Sequence, residues 1–215
     1  MSSPFPVRMR FFHAWLRASA AALALAVSAG GFAAEAPAPA FDCDKAVPDS
    51  VEERICSDTT LSALDASMAK VYAQAAAAVN RSTPSPRASQ RAWLKTRGAC
   101  MRAGSPEPST CIAMHYRMRI TELRARYGLV AQSGEARLGC GRPATRVTIR
   151  FYPGEDYDVG IAARGPQVAT LYREPSGSGI RYIDAEGTRI YEEHQGRAWL
   201  IWARGAKRQD CNMLN

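Results

Sequence analysis

Nowhere in this 215-residue chain do two cysteines form a C-x-x-C pair, and beyond residue 34 only His115 and His194 remain as histidines. Structural zinc sites are built from closely spaced Cys and His ligands, so neither a metal nor any other cofactor is expected. Long apolar sequence is scarce as well. The uncharged run from Ala18 to Ala34 is mostly alanine and falls short of the roughly 20 strongly apolar residues that span a bilayer. No cysteine follows it directly, so the signature of a lipid anchor is missing and no membrane anchor is expected. Charge is not concentrated: residues 41–128 carry 13 basic and 9 acidic side chains, and residues 129–215 carry 12 and 10. Binding to nucleic acid or to an anionic membrane surface needs clustered cations, so neither is an expected partner.

What is present begins with an export signal. Arg8, Arg10 and Arg17 precede the alanine-rich run, and Gly31-Phe32-Ala33-Ala34-Glu35 offers small residues for cleavage after Ala33. Residues 1–34 read as a signal peptide, residues 35–40 as a linker, and the periplasm as the destination. Its removal lowers the formal charge from +8 to +5. All six cysteines, Cys43, Cys56, Cys100, Cys111, Cys140 and Cys211, lie downstream. An even count in an exported chain reads as a disulfide framework without a free thiol.

The texture changes near Gly128. Before it, Leu61, Leu64, Met68, Val71, Ala75 and Val79 recur at helical spacing. A shorter helix is opened by Ser50, whose hydroxyl and the carboxylate of Glu53 can satisfy each other's amides. After a break at Arg81 to Pro86, a third helix carries Trp93 and Leu94. A turn at Gly104 to Pro108 leads to a fourth with Ile112, Tyr116, Ile120, Leu123 and Tyr127 on one stripe, capped by Gly128. Beyond the linker 129–134 the period becomes two, as in Val147 to Phe151 and Trp199 to Trp202. Turn signals at Pro153-Gly154, Arg164-Gly165, Gly177 to Gly179, Glu186-Gly187 and Gln195-Gly196 space short strands for an antiparallel barrel or sandwich. A Cys140 to Cys211 bridge would tie first strand to last and contribute roughly 4 kcal/mol. The expectation is an α+β chain of two separable units, a small helical bundle over 41–128 and a strand domain over 135–215.

The helical half resembles the LprI-like family. Phe41-Asp42-Cys43, Val51 to Cys56, Leu64-Asp65, Gln90 to Leu94 with Cys100, and Cys111 with Arg119-Ile120 and Glu122-Leu123 stand in that family's order. The resemblance implies an exported, disulfide-bonded helical binding module whose partner is unknown. Beside it, local pairing of Cys43 with Cys56 and Cys100 with Cys111 is favoured, and cross-pairing of the helices is the alternative.

The second half resembles the membrane-bound inhibitors of c-type lysozyme and their periplasmic relatives. The carrying residues are Ser176-Gly177-Ser178-Gly179-Ile180-Arg181-Tyr182 and Gln195-Gly196-Arg197-Ala198, between terminal cysteines. The resemblance implies a small antiparallel β-barrel whose Ser176 to Tyr182 loop enters the active-site cleft of c-type lysozyme and so protects peptidoglycan. Ser176, Gly177, Ser178, Gly179, Arg181, Tyr182, Gln195 and Arg197 are the implied contacts, with Ser178 on the catalytic carboxylates. Two departures stand out. The family's usual lysine is Gln195 here, and an insert around Asp184 to Thr188 stretches the spacing between the loops.

Three further readings follow from the residues. Asp184, Glu186, Glu192 and Glu193 either face a basic cleft rim or form a solvated strand face. Ser178, His194 and Asp184 are conceivable as a hydrolytic triad, but Ser178 lacks the G-x-S-x-G elbow, so no enzyme is expected. The alternative function is a non-inhibitory envelope interaction module.

Overall fold

The computed structural model describes residues 37–80, 83–102 and 107–214. The expected signal peptide, residues 1–34, lies outside the described residues, as do Arg81, Ser82 and most of the Gly104 to Pro108 turn. Among the described residues the first half forms four α-helices: α1 (Val51–Ser57), α2 (Thr59–Ala77), α3 (Arg87–Gly98) and α4 (Pro108–Arg126).

Local chemistry sets their ends. The Ser50 hydroxyl accepts from the Glu53 amide at 3.1 Å. Contrary to the reciprocal cap expected there, Glu53 does not return the bond to Ser50; its carboxylate takes the Asp49 amide at 2.7 Å, where the backbone turns through φ +60°. Asp58 caps α2 through the Thr60 and Leu61 amides. Gly128, at φ +67°, ends α4, and the Leu129 amide reaches back to the Arg124 carbonyl at 2.8 Å, the bond that marks a glycine-terminated helix.

The helical core joins Leu61, Met68, Val71 and Ala75 of α2 to Ile112, Tyr116, Ile120 and Leu123 of α4. Val79 falls beyond the end of α2 and is 39% exposed, so the helical period runs one turn too far there. Inside, the Tyr116 hydroxyl donates to Asp65 at 2.6 Å and accepts from Arg97, which also pairs with Glu52 at 2.7 Å. That network binds one residue from each helix. Disulfides join Cys43 to Cys56 and Cys100 to Cys111.

The second half is a closed eight-stranded antiparallel barrel: β1 (Gly134–Cys140), β2 (Thr145–Tyr152), β3 (Val159–Arg164), β4 (Gln167–Glu174), β5 (Ile180–Ile183), β6 (Ile190–His194), β7 (Arg197–Ile201) and β8 (Gln209–Met213). Each strand pairs with the next and β8 returns to β1. Alternation drives Leu138, Val147, Ile149, Leu171, Tyr191 and Leu200 inward to fill it. Cys140 and Cys211 are register partners on β1 and β8 and are bridged.

The barrel's outer face is not all solvated. Val159 and Tyr172, on β3 and β4, are buried against Ala125, with Met118 packed beside them, so α4 lies on the barrel wall. Arg126 donates to the Thr170 hydroxyl at 2.9 and 2.7 Å, and that hydroxyl donates to Glu122 at 3.1 Å.

Candidate functional site

Three connections share one end of the barrel: residues 153–158 between β2 and β3, 175–179 between β4 and β5, and 195–196 between β6 and β7. His194 and Arg197 are paired in register, leaving a two-residue hairpin with Gln195 at φ +48° and Gly196 at φ +73°. Both values are left-handed, as this tightest hairpin turn requires.

The serine and glycine loop is held against that hairpin. Ser176 Oγ donates to the Gly179 carbonyl at 2.9 Å. Gly179 has φ +94° and lies so close to the Glu193 carbonyl that a Cβ there would overlap it. His194 Nδ1 lies 3.2 Å from the Ser178 carbonyl; since a carbonyl only accepts, the contact requires the proton on Nδ1. Residues 176–179 are exposed, and the Ser178 hydroxyl has no hydrogen-bond partner among the described residues. The two segments singled out separately in the sequence are therefore one surface.

Other singled-out residues sit differently. Tyr182 is 5% exposed, its ring 5.1 Å from that of Phe151 inside the barrel. Burial raises its phenol pKa, and the nearby Asp158 adds to this. It anchors the loop from within. Arg181 spans the outer face between its register partners, pairing with Glu174 at 3.3 Å and Glu192 at 3.1 Å. Gln195 and Arg197 are exposed at the hairpin.

The four acids do not form one face. Asp184 is buried at the opposite end of the barrel, where it accepts from the Thr188 amide and hydroxyl and from the Arg189 amide and guanidinium. Burial would raise its pKa, but these hydrogen bonds outweigh it and hold the carboxyl below its ordinary value. Glu192 is committed to Arg181, and Glu193 accepts from the Tyr191 hydroxyl at 2.7 Å. Glu186 alone of the four is exposed. The imagined triad is likewise not assembled, because His194 faces the main chain of Ser178 and Asp184 is occupied elsewhere.

The sequence marked the third connection as a turn but did not single it out as part of this surface. Asp156, Tyr157 and Asp158 form one wall of a cleft whose other wall is Glu174, Pro175 and Ser176. Asp158 is bound to Arg173 at 3.1 Å. From the helical half, Arg117 pairs with Asp156 at 3.4 Å and Arg124 with Glu155 at 3.0 Å. The Pro153-Gly154 turn followed by three acids was the available signal. Elsewhere, Cys100, Cys111 and His115 bring ligand atoms within 4.8 Å of one another, but the two sulfurs are joined to each other and offer no thiolate.

The interlocked loops present exposed small side chains together at one end of the barrel. Residues 43–128 match the family described as lysozyme inhibitor LprI, and residues 139–209 match the family described as membrane-bound lysozyme-inhibitor of c-type lysozyme. In chain order, an LprI-like segment is followed by an MliC-like segment. No curated protein and no solved structure matches the chain.

Proposed function

We propose that this protein is an exported, non-enzymatic inhibitor of c-type lysozyme that inserts the Ser176 to Tyr182 loop into the enzyme's active-site cleft. Lysozyme cleaves with a protonated glutamic acid and an ionised aspartate that face each other. A serine hydroxyl can accept from the first and donate to the second, so one small side chain occupies both. The observation that carries the reading is the free Ser178 hydroxyl on a loop fixed by Gly179 and His194. A loop already held in its bound shape loses little conformational freedom on docking.

In this reading Ser176, Gly177 and Gly179 give the loop its narrow profile, Tyr182 anchors it, and Gln195 and Arg197 meet the cleft edge from the adjoining hairpin. Both family matches carry descriptions of lysozyme inhibitors, which supports the target class. No helix among the described residues is long and apolar enough to cross a membrane. We assign residues 1–34 to export, 41–128 and 135–215 to the two domains, and the periplasm as the site of action.

The test is Ser178→Ala against c-type lysozyme. Removing a hydrogen bond to charged groups costs about 1.5–3 kcal/mol, roughly a tenfold to hundredfold loss of affinity. Thermal stability should be unchanged. A variant that inhibits as well as the parent would show that the barrel binds by another face, or that the protein is an interaction module without inhibitory action.

A further inference from the structure

A second cleft, about 320 Å³ in volume, lies at the seam between helices and barrel. Trp93, His115 and Glu122 line one side, and Tyr172, Glu186 and Arg189 line the other. Nothing in the loop mechanism uses it.

Its charges are almost entirely spent. Arg119 and Arg126 both pair with Glu122, at 2.8 and 3.0 Å. Arg119 also donates to Gln90 and Ser89, and Arg189 pairs with Asp184 at 3.0 Å. Three guanidiniums thus face three carboxylates, counting Glu186 at the rim. An anion entering here would compete for guanidiniums that are already paired, and the one carboxylate of the cleft without an ion pair among the described residues, Glu186, lies at the exposed rim.

Neutral hydrogen-bonding groups, in contrast, are unspent. Tyr172 is 8% exposed, yet its hydroxyl has no partner among the described residues. The hydroxyl is not among the fully buried unpartnered atoms, so it opens toward the cleft. The His115 ring also lacks a hydrogen-bond partner among them, and burial lowers its pKa, so at neutral pH it is an uncharged imidazole offering one donor and one acceptor. Trp93 and Met118 add apolar surface to the same cleft.

We infer that this seam is a binding site for a neutral saccharide, a ligand that presents hydroxyls to Tyr172 and His115 and the apolar face of a sugar ring to Trp93. The site is formed by α3, α4, β4 and the connection between β5 and β6, so neither half contains it alone. It stands independently of the loop and of lysozyme.

The test is titration of the full chain with three neutral disaccharides: cellobiose, maltose and the N-acetylglucosamine dimer. Inorganic phosphate and spermidine serve as charged comparators. Tryptophan fluorescence should show saturable binding of at least one disaccharide, with a matching rise in melting temperature, since a ligand of the folded state alone stabilises it. Tyr172→Phe, which removes only an unpartnered hydroxyl and keeps the ring packing, should weaken that binding about threefold to tenfold. The melting curve of the variant without sugar shows whether it is folded. Failure of all three sugars to bind, tighter binding of either charged comparator, or undiminished binding by Tyr172→Phe would each overturn the inference.

Discussion

Replacing Gly179 with alanine asks whether the shape of the loop, and not only its hydroxyl, carries inhibition. The residue sits at φ +94°, where a side chain is strained, and an added Cβ would lie well under 3.0 Å from the Glu193 carbonyl. The strain costs about 1–3 kcal/mol. The overlap meets backbone of β6, which is held in the ladder between β5 and β7, so the loop is the part that yields. Its displacement breaks the contact between His194 and the Ser178 carbonyl, worth about 1 kcal/mol. Gly179→Ala should therefore lose about 1–3 kcal/mol in urea unfolding, with the loop relieving part of the sum by moving. Lysozyme inhibition should fall at least as far as in Ser178→Ala, since a displaced loop no longer delivers the hydroxyl. The pair separates two causes: one variant keeps stability and loses inhibition, the other loses both. A Gly179→Ala protein with parental inhibition would refute the claim that the fixed loop is the inhibitory element.

Gln195→Lys keeps a residue able to adopt the left-handed turn and adds an amine at the hairpin tip; inhibition should hold or improve, and a clear loss would exclude the hairpin from a cleft lined with acids. Replacing both Cys140 and Cys211 by serine opens a covalent loop of 71 residues' separation; unfolding free energy should drop by about 4 kcal/mol, read from denaturant midpoints. Asp184 has a folded pKa below its ordinary value, so its contribution to stability is complete above about 3.8 and is lost as pH falls through the lower folded value. Asp184→Asn should cost about 1–3 kcal/mol at neutral pH and flatten the acid limb of the stability profile; an unchanged limb would mean the carboxylate is not what holds that turn.

Much of the architecture was legible in the chain because it depends on local rules. Helical periodicity located α2 and α4, and the Gly128 cap fixed the end of α4. All five turn signals in the second half proved to be strand connections. The two connections left unmarked, 141–144 and 202–208, carry signals of the same kind in Gly141 and Arg204-Gly205, both glycines at positive φ, and were legible too. What stayed hidden depends on distant contacts. Nothing in the spelling of Asp184 tells that it folds onto Thr188 and Arg189, so it read as one of four surface acids. Tyr182 stood among the contacts that the family resemblance implies, and strand alternation after Ile180 turns it inward, a placement that the resemblance alone did not give. The tie between Ser178 and His194 spans 16 residues and has no signature in either segment. Tyr172 next to the inward Leu171 gave no hint that the outer wall was covered, since burial on both faces of a strand is a property of the assembled fold.

That covered wall bears on engineering. Transplanting the barrel into another protein would carry with it Val159 and Tyr172 without the helix that roofs them, and an unroofed apolar patch invites self-association. The graftable unit is therefore the strand domain plus α4, or the strand domain with polar residues substituted at those two positions. A designer who cut at the glycine after α4 would obtain a sequence with every strand intact and an apolar face that the parent protein keeps inside itself.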